Sequence, residues 1–239
     1  MLNPALDIDA LAAEFKKDDR VRINDILEPG IAEQIREICL TDVPFQYIYF
    51  FDGANRVGTE EQLRNLTPEQ RHELQQKILT AAADGVGFYY CGYVMGYEDR
   101  NVGNEKLQFL HTMFDFMNSS DMREFIMKVT GRDDLLSADA QFTRFTNGQF
   151  LTRHRDVVTD QERRLAYVIS FSPDWHPDWG GLLQYFEEDG TPRDAWTPRF
   201  NSMSLFDVRH IHSVTYLTPF GKAPRLSLTG WFRAVPQQR

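Results

Sequence analysis

From about residue 139 the chain breaks into short runs of β-branched, aromatic and alternating residues: AQFTRF, RLAYVISF, GLLQYF, SMSLFDV and RLSLTGWF. Turn-forming residues separate them, among them Asn147-Gly148, Pro173, Gly180-Gly181, Pro198 and Pro219-Phe220-Gly221. Runs of strand length at this spacing specify an antiparallel sandwich or barrel.

The preceding half has a helical texture. After Pro29, Ile31, Ile35 and Ile38 recur at i, i+4 and i+7, one stripe of an amphipathic helix. Thr67-Pro68-Glu69-Gln70 supplies an N-cap, a proline at the first helical position and the Gln of a capping box, and Gly85 supplies the stop. Leu107, Leu110, Phe114 and Met117 form a third stripe. Ser120 is placed to cap a fourth helix through Phe125, Ile126 and Val129, closed by Gly131. Segments 43–51 (VPFQYIYFF) and 86–97 (VGFYYCGYVMGY) predict flanking strands. The expected class is α+β in one domain, 1–239, with 1–138 as mainly helical support and 139–234 as the β core.

Composition narrows the function classes. Hydrophobic residues are 42% and aromatics 13% of 239 residues, which rules out a wholly disordered chain. With 26 Lys+Arg against 35 Asp+Glu the formal charge is −9, which disfavours a general nucleic-acid or bilayer-surface binder and suits a basic partner. Cys39 and Cys91 are far apart and outside any CxxC spacing, as expected of two reduced core thiols in a cytoplasmic protein. The opening MLNPALDIDALAAEFKKDDR lacks a basic region followed by an apolar one, so no secretory leader is expected. No uninterrupted apolar window approaches the ~18 residues of a membrane span.

Two His-x-Asp triplets occur where chance alone would give roughly half of one, so a triplet by itself proves nothing. His176-Pro177-Asp178 lies between Trp175 and Trp179 in a Pro-rich loop, where nothing aligns the two side chains, and reads as structural. His154-Arg155-Asp156 stands at the beginning of the β-rich half. On a strand edge, period-two alternation puts His154 and Asp156 on one face. A third ligand from another strand closes a facial set of two imidazoles and one carboxylate, which holds Fe(II) with open positions. That ligand is His210 or His212 of RHIHSV; being i and i+2 they share a face, and parity does not separate them.

In the last run, alternation puts Arg225, Ser227, Thr229 and Trp231 on one face and Leu226, Leu228 and Phe232 on the other. A guanidinium on an inward face needs an anionic partner, because burying it alone is costly. A carboxylate gripped by Arg225 with support from Ser227 meets that need, and an acid of the protein itself would meet it as well.

HRD, the later His in HSV, RLSLTGWF and the intervening WGGLLQYF together resemble the Fe(II)- and 2-oxoglutarate-dependent dioxygenases, specifically the prolyl 4-hydroxylase-like group. FTNGQFLTRHRD resembles that group's approach to its iron motif, and RRLAYVISFSPDWHPDWGGLLQYF resembles members that hydroxylate a proline of a small-subunit ribosomal protein. The resemblance is strong over 139–234 and weaker over the N-terminal helices.

The resemblance implies a double-stranded β-helix (jelly-roll) core buttressed by the N-terminal helices. His154, Asp156 and His212 would be the iron ligands, His212 being preferred because Ser213 and Val214 follow it. Arg225 and Ser227 would bind the distal carboxylate of 2-oxoglutarate. Many members carry a cosubstrate-binding Tyr where this chain has Phe145, and Tyr167 is the substitute within reach of the sequence reading. The implied reaction hydroxylates an unactivated C–H bond with O2, releasing succinate and CO2, with ascorbate as an accessory reductant. The implied partner is a protein or peptide, such as a basic ribosomal protein; a free amino acid or small metabolite is the alternative substrate. A non-catalytic cupin-like metal barrel is the rival from another class; it needs several closely spaced His and no Arg-x-Ser on the last strand. A pure interaction module would leave the inward His, Asp and Arg without a reason. Segment 41–66 is expected either to cover the site or to pack against the barrel.

Overall fold

The computed structural model of the protein describes residues 1–96 and 103–237. The chain opens with helix α1 (Ile8–Asp18), strand β1 (Arg20–Asn24) and helix α2 (Ile31–Thr41). A hairpin of β2 (Gln46–Phe51) and β3 (Ala54–Gly58) leads through α3 (Glu60–Arg64) into α4 (Pro68–Asp84). Then follow β4 (Phe88–Met95), α5 (Glu105–Met117) and α6 (Ser120–Thr130). The C-terminal half is β5 (Ser137–Ala138), β6 (Ala140–Phe145), β7 (Phe150–His154), β8 (Arg163–Ser170), β9 (Leu183–Phe186), β10 (Pro192–Trp196), β11 (Ser202–Asp207), β12 (Ile211–Val214) and β13 (Arg225–Arg233).

Most of these elements follow the local signals. α4 has both halves of its capping box: the Gln70 N–H donates to Thr67 Oγ1 at 3.3 Å and the Thr67 N–H donates to Gln70 Oε1 at 2.9 Å. α6 begins one residue earlier than the sequence suggests, because Ser119 rather than Ser120 is the N-cap, its hydroxyl accepting from the Met122 N–H at 3.2 Å. The two expected flanking strands are β2 and β4; Tyr97, the last residue of the second segment, lies outside the described residues. α1, β1, β3 and β10 carry weaker sequence signals. β1, for example, buries only Val21 and Ile23 of its five residues.

The strands form one continuous antiparallel sheet in the order β1-β11-β8-β13-β6-β4-β7-β12-β9-β10, with β2 on the other edge of β4 and β3 beyond it. At β4 the sheet curls back on itself, pairing with β6 along Cys91–Met95 and with β7 at Phe88 and Tyr89. The curl gives every strand an outer and an inner face. Outward residues such as Leu165, Ile169, Leu226, Leu228 and Phe232 join the main core with Leu110, Met113, Met122 and Ile126 of the helices. Inward residues Ala166, Leu183, Tyr185, Phe206 and Val208 make a smaller second cluster. Each fully buried Leu, Ile or Phe contributes about 1.5–3 kcal/mol, so the helical backing stabilises the sheet and leaves the inner face free for polar groups.

Beyond the pairing of β1 with β11, a buried side-chain amide ties the N-terminal segment to this sheet. Asn201, at φ +52°, donates from Nδ2 to the Leu27 carbonyl at 2.9 Å and accepts the Leu27 N–H on Oδ1 at 3.1 Å. Asn201→Ala strands both groups in the interior and is expected to cost about 2–4 kcal/mol. Urea unfolding should show a lower midpoint at an unchanged slope; a shift under 0.5 kcal/mol (about the size of an ordinary surface change) would refute this account.

Candidate metal centre

β7 and β12 pair so that His154 stands directly opposite His212. His154 is the last residue of β7 and Asp156 lies two residues beyond, where its N–H donates to the Val208 carbonyl at 3.2 Å. Asp156 Oδ1 lies 3.5 Å from His154 Nε2, and Oδ2 lies 3.4 Å from His212 Nε2. One ligand atom from each of the three residues falls within 4.8 Å of the others, a cluster able to hold one metal ion. Each imidazole is fixed from behind: His154 Nδ1 to the Thr152 carbonyl at 2.9 Å and His212 Nδ1 to the His210 carbonyl at 3.0 Å. An Nδ1–H donated to a carbonyl leaves Nε2 as the lone-pair nitrogen aimed at the metal position.

The electrostatics suit a cation. Burial by itself would raise the Asp156 carboxyl, but His154 and His212 outweigh it and hold it down at about 2. Burial pushes His212 down to about 4, so it is a neutral ligand at physiological pH. Burial opposes the charged form of His154 too, yet Asp156 beside it keeps this imidazole above its ordinary value.

A cavity of about 320 Å³ runs from these ligands to Arg225. Arg225 is 3% exposed. Its Nη1 donates to Ser227 Oγ at 3.1 Å, its Nε has no partner, and it forms none of the salt bridges among the described residues. Burial without a counter-charge draws this guanidinium down to about 10. The alternative of a protein acid paired with Arg225 is therefore not realised. Beneath it lies a row of cross-strand neighbours, Ser170, Ser227 and Thr143, all buried.

The comparisons with known proteins agree with this geometry. Residues 140–233 match the 2OG-Fe(II) oxygenase superfamily. That segment, 140–233, is the part of the chain that is similar to 2OG-Fe(II) oxygenases. It is 26% identical to the prolyl 3-hydroxylase OGFOD1 of Xenopus laevis over 136 residues, 54% of this chain and 25% of that protein. It is 28% identical to the Mus musculus protein of the same name over 119 residues, 47% of this chain and 21% of that protein. The matched regions thus span about a quarter of the length of these curated relatives. A Pseudomonas putida prolyl-4-hydroxylase has the same fold, with a TM-score of 0.58 at 17% identity, covering 97% of this chain and all of that one. A Trichoplax adhaerens prolyl hydroxylase, solved with a hypoxia inducible factor peptide fragment, gives 0.59 at 15% identity and covers 95% and 89%. The architecture is accordingly the double-stranded β-helix of the prolyl hydroxylases.

Within the curled sheet the remaining sequence expectations divide clearly. His210 stays out of the cluster: its Nε2 is bonded to the Asp18 carbonyl at 2.8 Å, which leaves His212 as the inward one. His176 and Asp178 are exposed, 3.7 Å apart, with no third ligand. Tyr167 requires a correction. Alternation along β8 puts it with Leu165 and Ile169 on the helix side, where its hydroxyl donates to the Asp139 carbonyl at 2.7 Å. Gly230 lies at that crossing because a Cβ there would stand 1.9 Å from the same carbonyl. The residue beside Phe145 on the inner face is instead Tyr90 of β4, its ring stacked on Phe145 at 5.2 Å, with the Arg225 guanidinium 5.4 Å from the Phe145 centroid. Of segment 41–66, Asn55 of β3 lines the cavity, while β2 pairs with β4 as part of the sheet. Sequence reasoning also missed Thr143, Ser170 and Arg163; alternation within AQFTRF and RLAYVISF, taken from Phe145 and Ala166, carried the signal for the first two.

The metal-free protein should lose stability as pH falls from about 6.5 to 4, because unfolded His212 takes up a proton that the folded form refuses. His154 acts in the opposite sense, its raised value giving a contribution present at low pH and lost as pH rises. His212→Asn removes the first effect. Its denaturant midpoint should fall less between pH 7 and 5 than that of the wild type, and parallel curves would contradict the assignment.

Proposed function

We propose that this chain hydroxylates a prolyl residue of a protein, consuming 2-oxoglutarate and O2 and releasing succinate and CO2. The observation that carries the reading is the unpaired, buried Arg225 at one end of a cavity whose other end is a His-Asp-His cluster. A dianion with a chelating end and a distant carboxylate fits between them. The donor set of two imidazoles and one carboxylate suits Fe(II), with the cavity on the open side. When bound, the iron activates O2 for attack on a C–H bond; the chain provides position and shelter.

The residues divide that work. Asp156 stays ionised, His212 stays neutral, and both imidazoles are oriented by their carbonyl partners. Arg225 and Ser227 grip the distal carboxylate, while Phe145 and Tyr90 form a dry wall beside it. Arg163 and Trp231 also line the cavity, with the Arg163 guanidinium 3.5 Å over the indole and its Nε without a partner. A free N–H donor over an aromatic ring suits a backbone carbonyl next to a prolyl ring, and the similarity to prolyl hydroxylases supports that substrate. The charge of −9 favours approach of a basic, proline-containing segment such as that of a ribosomal protein.

The test begins under anaerobic conditions, adding Fe(II) and then 2-oxoglutarate to metal-free protein and recording the visible charge-transfer band. The band should be absent in His212→Ala, and in Arg225→Ala it should need about 100-fold more 2-oxoglutarate, some 3 kcal/mol of charge-assisted bonding. Succinate release, with ascorbate present, should rise with basic proline-containing peptides and not with free proline, and Arg163→Ala should raise KM for the peptide with little change in kcat. Bound iron without a band overturns the oxygenase reading; stimulation by free proline alone overturns the protein substrate.

A further inference from the structure

The short turn Asp207–His210, which connects β11 to β12, supplies hydrogen-bond acceptors to two of the three residues of the metal centre. Its Val208 carbonyl takes the Asp156 N–H at 3.2 Å, and its His210 carbonyl takes His212 Nδ1 at 3.0 Å. The turn is itself clamped at both ends onto the C-terminus of α1. The Asp207 N–H donates to the Asp19 carbonyl at 2.9 Å, and His210 Nε2 meets the Asp18 carbonyl at 2.8 Å. Asp18 ends the helix and Asp19 is its left-handed cap, so these are carbonyls that a helix leaves without an internal partner, where an imidazole N–H is well placed. The His210 ring is held edge-on by Tyr185, which itself stands opposite His212 on β9.

We infer that His210 is a positioning residue that couples α1, which lies outside the matched oxygenase segment 140–233, to the orientation of His212. The inference rests on the metal-centre reading. A ligand imidazole is only as well aimed as the acceptor behind it, and the acceptor of His212 is the carbonyl of the residue whose side chain grips the helix. Without the His210 ring one clamp is lost, the turn gains freedom, and the aim of His212 loosens while the pairing of β12 with β7 and β9 persists.

The experiment titrates the metal-free chain with Co(II), following its visible d–d bands, in wild type, His210→Ala, His210→Gln and His212→Ala. His210→Ala should bind Co(II) about 10–100-fold more weakly, with broadened bands. His210→Gln, whose amide nitrogen takes the place of the imidazole Nε2, should recover most of the affinity and the wild-type spectrum. Wild-type affinity and bands in His210→Ala overturn the inference, and so does a Gln variant as weak as the Ala variant with the same lowered melting temperature. Absence of Co(II) binding by the wild type, or full binding by His212→Ala, overturns the metal centre itself; a wild type that binds and a His210→Ala that is unaffected removes only the coupling.

Discussion

The antiparallel pairing of β7 with β12 sets His154 directly opposite His212, and the turn after β7 then brings Asp156 between their Nε2 atoms. A one-residue slip in that register would turn His212 to the other face and leave the buried Asp156 carboxylate with His154 alone beside it. The register is enforced from both sides, by β9 pairing with β12 through Leu183–Phe186 and by β4 pairing with β7 at Phe88 and Tyr89. Much of the curled sheet thus serves to hold three side chains within 4.8 Å.

Charge is distributed in the cavity on the same logic. Asp156 is compensated by its two imidazoles, whereas Arg225 is surrounded by hydroxyls and rings and by no acid. Hydroxyls lower the cost of keeping a guanidinium out of water without neutralising it, so the carboxylate proposed to bind there would gain the full pairing. A protein carboxylate in that place would have stabilised the free protein and closed the subsite.

The helices make this polar interior affordable. α1, α2, α5 and α6 bury the outer face of the sheet with closely packed Ile, Leu, Met and Phe, so fold stability does not depend on an apolar inner face. Tyr167 shows how the two faces are kept apart: its ring joins the helix-side core and its hydroxyl bonds the Asp139 carbonyl, while Ala166 and Val168 on either side belong to the inner cluster.

Local sequence determined the elements that rest on local forces. The capping box at Thr67, the stripe Leu107-Leu110-Phe114-Met117 and the alternation that turns Arg225 and Ser227 inward need only neighbours along one helix or strand. The pairing of His154 with Asp156 was legible for the same reason. Alternation could not separate His210 from His212, which share one parity; the resemblance favoured His212, and the physical reason, His210 held on the Asp18 carbonyl 192 residues away, is visible only in the tertiary structure. The tertiary structure also decided that Tyr90 rather than Tyr167 stands beside Phe145, and that Ser170 and Thr143 flank Ser227, because cross-strand neighbours are set by the register of separate strands. Alternation fixes which face a side chain takes; what it meets there depends on how the sheet closes.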